Sequence, residues 1–143
     1  MKTLLIKAVF FLSLAILAQD NKSSHQNDHD PMRPYLSSDQ LALDTEIKYA
    51  KCIRLQMGGL WDETAKLYTI IANRGHPTAQ LHLGKQYVHG NGVAQSYVEA
   101  YKWFALSDTS MGNHFIELIT EDMSITEINE AKKLIKNFKP SYK

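Results

Sequence analysis

The sequence predicts an all-α fold, an α-solenoid of about two stacked helix pairs closed by a C-terminal cap helix pair. Apolar residues recur at helical spacing through most of the chain after residue 38, as in Ala79, Leu83 and Tyr87 at i, i+4, i+8. Glycines at Gly58-Gly59, Gly75 and Gly90-Asn91-Gly92 divide that pattern into short helices. A self-similarity at 35 positions links Ala65 with Ala100, Tyr68 with Trp103 and Ala72 with Ser107. A period of that length is the signature of helix-pair repeats.

The first 18 of the 143 residues read as a secretory signal peptide. Lys2 and Lys7 precede the uncharged run Ala8–Ala18, which is shorter than the roughly 20 apolar residues a spanning helix needs. Small residues place cleavage after Ala15 or after Ala18, and an uncleaved membrane tether is the alternative. No cysteine follows the run closely, which argues against lipid attachment. Residues 19–38 are polar, hold Pro31 and Pro34, and lack any apolar period, so they read as a flexible linker. Residues 39–139 then form the repeat domain.

Within it, Leu43, Ile47 and Ala50 form the expected inward stripe of a first helix, with Met57 closing it. Trp61, Ala65, Tyr68 and Ala72 mark a second helix stopped by Gly75. Pro77 suits the first position of a third helix, whose buried side is predicted to carry Ala79, Leu83 and Tyr87. Gly84 inside that helix costs about 1 kcal/mol relative to alanine, which predicts a close approach by another backbone. Gly90 and Gly92 permit positive φ, so the chain can reverse within a few residues. Ser96 and Glu99 read as a capping box for a fourth helix, whose inward face is Ala100, Trp103, Phe104 and Ser107. A short helix is expected over residues 114–119. Ser124 and Glu127 then open a last helix carrying Ile128, Ala131, Leu134, Ile135 and Phe138, stopped by Pro140.

The ordered set Ala79, Leu83, Gly84, Tyr87, Gly90, Gly92, Ala100, Trp103 and Phe104 resembles the Sel1-like repeat, a relative of the tetratricopeptide repeat. The final segment is similar to the cap helices that often follow bacterial Sel1-like arrays. Together the resemblance spans roughly residues 41–139 and is most specific over residues 76–107. It implies a right-handed solenoid that acts as a protein-binding surface, in a bacterial exported protein. The first repeat is degenerate. Its first helix aligns at an offset of 30, setting Tyr49 against Ala79, Ile53 against Leu83, Arg54 against Gly84 and Met57 against Tyr87.

Charge narrows the partners. Removing residues 1–18 leaves 14 basic against 15 acidic side chains, with no basic stripe, so nucleic acid is not expected. Membrane contact is expected only in transit, through the signal peptide. Localisation is expected to be periplasmic or secreted. The chain holds one cysteine, Cys52, so it can form no internal disulfide; its helical setting reads as a small core group rather than a reactive thiol. No phosphate-binding glycine loop, GxSxG, HExxH or CxxC occurs. No cofactor, metal or catalytic residue is therefore assigned. The expected function is non-catalytic binding of a protein or peptide by a monomer. His82, Gln86 and His89, at i, i+4, i+7, form the candidate polar stripe for that partner, against the plainer alternative of a wet helix face. Two other classes compete: a cell-wall-associated enzyme or inhibitor using Cys52 with a histidine, and a weak metal-handling protein using His25, Asp28, His29 and Asp30.

Overall fold

A computed structural model describes residues 37–141, which form six α-helices and no strand among the described residues. They are α1 (Ser38–Met57), α2 (Trp61–Asn73), α3 (Pro77–His89), α4 (Tyr97–Leu106), α5 (Ser110–Thr120) and α6 (Ile125–Asn137). From α1 to α5 each helix packs on the next in the chain, and α6 returns onto α4. The signal-peptide run and all of the linker but Ser37 and Ser38 lie outside the described residues.

The helix ends follow from local chemistry. Ser37 caps α1, accepting from the Gln40 N–H while the Gln40 side chain accepts from the Ser37 N–H. The helical domain thus begins inside the segment expected to be linker. His76 caps α3 through its ring, with Pro77 at the first helical position. Gly90 ends α3 in the left-handed conformation that glycine adopts without penalty. The expected box at Ser96 is half formed: Ser96 accepts from the Glu99 N–H, but the Glu99 carboxylate turns to Lys102 instead. Ser124 and Glu127 make the full box on α6. Thr109 caps α5 four residues earlier than the helix expected from sequence, so α5 is nearly twice as long.

The core is continuous with the 35-residue echo. Ala65 and Ala100, Tyr68 and Trp103, and Ala72 and Ser107 are all buried. Cys52, Tyr68, Ile71, Ala72, Ala79, Leu83 and Trp103 form one cluster, with Phe138 from beyond α6 packed against it. Ala100, Phe104, Ile119 and Met123 form a second under α5 and α6. Beyond Phe138, the Ser141 N–H donates to the Asn73 carbonyl at 2.7 Å, capping an orphan acceptor in the last turn of α2. The aromatic ring of Phe138 meets Trp103 edge-on at 5.7 Å.

Three expectations are corrected. The stripe Leu43, Ile47 and Ala50 does not face inward: Leu43 is 62% and Ile47 56% exposed, Ala50 is exposed too, and so is Met57 at the helix end. The buried side of α1 is instead Thr45, Tyr49, Cys52 and Gln56, at i, i+4, i+7, i+11. Specific contacts choose this face over the greasier one. Tyr49 stacks on His76 and meets Tyr68 and His82 at a tilt, and Gln56 accepts from the Tyr68 hydroxyl at 3.2 Å. The offset of 30 therefore fails, since Ile53 and Arg54 are exposed while Leu83 and Gly84 are buried. An offset of 31 sets Cys52 against Leu83, both fully buried. Close approach at Gly84 is also of another kind. An added β-carbon would lie 2.6 Å from the Phe104 ring, a side chain and not a backbone. The backbone approach falls at Gly92, where φ is +71° and a β-carbon would sit 2.1 Å from the Trp61 carbonyl oxygen.

Candidate functional site

The site is built where α1, α2 and α3 meet. Tyr49 comes from α1, Tyr68 from α2, His76 from the cap of α3 and His82 from one and a half turns into it. His82 stacks face to face on Tyr68 at 5.2 Å with the rings 2° apart, and His76 stacks on Tyr49 at 5.0 Å. Stacked aromatic pairs are worth about 0.5–1.5 kcal/mol beyond area burial, so this cluster helps tie α1 and α2 to α3.

Its protonation states follow from burial. Desolvation, and then the charge of Lys85, hold His82 below the ordinary imidazole value, so its ring is neutral at pH 7. Burial raises both Tyr49 and Tyr68, with the nearby Cys52 adding to each, so neither phenol ionises near neutrality. His76 Nδ1 accepts from the Ala79 N–H at 3.2 Å, which leaves the ring proton on Nε2, 3.5 Å from the Glu46 carboxylate.

Beside this cluster lies an open groove of about 490 Å³ lined by Tyr49, Ile53, Gln56, Met57, Trp61 and His82. Gln56 is its one amide, and its carbonyl is engaged by Tyr68. The remaining lining is aliphatic, thioether, aromatic and imidazole. Such a surface offers contact area with few fixed polar anchors. A second hollow of about 330 Å³ lies at the other end of α1, between its first turns and the α2–α3 junction. There Arg74, 8% exposed, donates to Asp44 at 2.6 Å and to Thr45 at 3.1 Å, and Lys48 also pairs with Asp44. Burial pushes the Asp44 carboxyl up, but the hydrogen bonds and charges of Lys48 and Arg74 outweigh it and leave the group below its usual value. This is an ion-pair junction tying α1 to the end of α2.

The expected polar stripe divides. His82 lines the groove, His89 is exposed, and Gln86 is buried at 4% exposure with no hydrogen-bond partner for either side-chain polar atom. Gln86 is thus corrected from a surface contact to an interior residue. The reason is that α3 is sandwiched between α2 and α4, which leaves it a narrower wet arc than a one-sided amphipathic helix would have. Tyr49, Ile53, Met57 and Trp61 were not singled out as contact residues from sequence. The one available signal was the rival helical period Thr45, Tyr49, Cys52, Gln56, which turns Ile53 and Met57 toward the groove's rim.

Cys52 is fully buried, and burial pushes its thiol up to about 11. Among the described residues, no group of three or more His, Cys, Asp or Glu side chains could hold a metal ion, and no helix is long and apolar enough to cross a membrane. His25, Asp28, His29 and Asp30 lie outside the described residues. Compared with known proteins, the chain matches no family model, no curated protein and no solved structure.

Proposed function

We propose that this chain is a non-catalytic protein-interaction module, a right-handed Sel1-like solenoid of two helix pairs and a cap, that holds an apolar peptide or protein segment in the α1–α3 groove. The observation that carries this reading is the groove's lining: Trp61, Met57, Ile53 and Tyr49 supply apolar and aromatic contact, and a neutral His82 adds a flat face and a polar edge. Anchors of this type dominate binding energy where a partner side chain can be desolvated against them. The 35-residue equivalence of buried positions supports the repeat reading. The positive, short apolar start of the chain supports export to the periplasm or cell exterior. The rival enzyme reading needs a thiolate at Cys52, and a buried thiol raised to about 11 is poorly suited to that task.

Peptide display on the purified chain tests the binding. Selected peptides should share an apolar or aromatic residue and bind with a Kd that Trp61→Ala or His82→Ala weakens tenfold or more, about 1.4 kcal/mol. His89→Ala, on an exposed position outside the groove, should leave affinity within about twofold. Failure to enrich any sequence above the naive library, with the fold intact by circular dichroism, would sink the proposal.

A further inference from the structure

Few buried groups hold α1 in place. Of its 20 residues only Thr45 and Cys52 are buried. Its attachment rests on individual side-chain contacts. Arg74 holds Asp44 and Thr45 near one end, and the Tyr68 hydroxyl holds Gln56 near the other. Between them lie the rings of Tyr49, Tyr68, His76 and His82. Local opening costs least where buried apolar contacts are few, so α1 is the helix most easily released.

Among these fastenings the two imidazoles are the groups that change charge between neutral and mildly acidic pH. The ion pairs hold Asp44 below its usual carboxylate range, and burial raises Tyr49, Tyr68 and Cys52 above theirs, so none of these four titrates between about pH 7.5 and about pH 5. His76 caps α3 by accepting from the Ala79 N–H at Nδ1. A proton on that nitrogen sets a donor against a donor, removes the cap and places a cation at a helix N-terminus. Glu46 of α1, 3.5 Å from the other ring nitrogen, compensates only from an exposed position. Arg74, at the end of α2 and lining the same hollow, opposes the added charge.

His82 has less compensation still. It faces Tyr49 from α1 and Tyr68 from α2, and among the described residues no carboxylate acts on it. The charge that bears on it is Lys85 of its own helix, and desolvation is the larger obstacle to a proton. Attraction between an imidazolium and a tyrosine face offsets part of this cost. We propose that the Tyr49–Tyr68–His76–His82 cluster is an acid-sensitive latch, in which protonation of its imidazoles frees α1 while α2 to α6 stay packed. The direction follows from linkage. His82 has a folded value below the unfolded imidazole value of about 6.5, so its contribution is complete above that pH and is lost as pH falls from there toward the folded value. Tyr49, Gln56 and His82 all line the groove, so release of α1 also dismantles the groove. The latch itself does not rest on peptide binding and is tested without a peptide.

Cys52, the one cysteine of the chain, reports the release, since it is fully buried on the side of α1 that the latch closes. A dipyridyl disulfide labels Cys52 in the purified full chain. That rate, divided by the rate for the urea-unfolded chain at the same pH, gives the open fraction. From about pH 7.5 to about pH 5 the open fraction should rise at least fivefold, with the helical circular-dichroism signal unchanged. His82→Phe and His82→Gln accept no proton, and each should remove most of the rise. His76→Asn, which can still cap α3, should remove part of it. Hydrogen exchange, corrected for its intrinsic pH dependence, should show protection lost on α1 and kept on α4. An open fraction that stays constant with pH overturns the latch, as does a rise that persists in any folded His82 variant. Equal loss of protection on α4 would mean global unfolding and would overturn it too.

Discussion

Two glycines show how differently one residue type can be used. Gly84 has ordinary helical geometry and is small because the Phe104 ring lies against it. Gly84→Ala gains helix propensity of about 1 kcal/mol, yet forces a side chain into a filled space at a cost of about 1–3 kcal/mol. The variant should melt below the parent, and Gly84→Ala with Phe104→Leu should recover part of the loss in a thermal-melt cycle. Equal losses in the single and double variants would show that the ring is not what Gly84 accommodates. Gly92 admits no such repair, since it meets the fixed Trp61 carbonyl and also needs positive φ. Sequence marked both positions, Gly84 as a glycine inside a helical pattern and Gly92 as a positive-φ residue of the turn that follows it. The backbone approach expected at Gly84 falls at Gly92 instead, because it depends on how the α3–α4 loop lies against the start of α2.

At the scale of the element, α1 is where sequence was hardest to read. Caps, turns and helix count follow from local rules, and Gly58-Gly59, Gly75, His76-Pro77 and Ser124–Glu127 all mark helix ends. Which face of a helix turns inward is a tertiary choice. On α1 two periods competed, and tyrosine stacking with an ion-pair junction prevailed over aliphatic content. For the same reason Met57 and Ile53 joined the groove unannounced, while His82 could be named from its place on α3. The junction also carries a pH signature. Asp44 has a folded value below its unfolded one, so its contribution is complete above the unfolded carboxyl value of about 3.9 and is lost as pH falls below that toward the folded value. Asp44→Asn should cost about 2 kcal/mol near pH 7, because it strands a buried Arg74, and the partial exposure of Asp44 keeps the loss below that of a fully buried pair. Urea melts between pH 7 and pH 3 should show the parent–variant difference shrinking below about pH 4. A constant difference across that range would detach Asp44 from the acid limb.

At the scale of the molecule, the last described residues fasten the middle of the chain. Phe138 and Ser141 reach Trp103 on α4 and Asn73 on α2, so contacts distant in sequence hold the α2–α4 core. Removing residues 138–143 should cost about 2 kcal/mol, less than deletion of a fully buried phenylalanine, and lower the melting temperature by about 10 °C. An unchanged melting temperature would show the fastening to be incidental. The same arrangement bears on how the protein wears out. A carboxypeptidase trimming toward Ser141 meets a main-chain bond there and then a ring seated on the core at Phe138. Digestion should therefore slow at those two points. Passing the second point waits on the spontaneous lifting of Phe138 from Trp103, so the rate of trimming there reads out one aromatic contact.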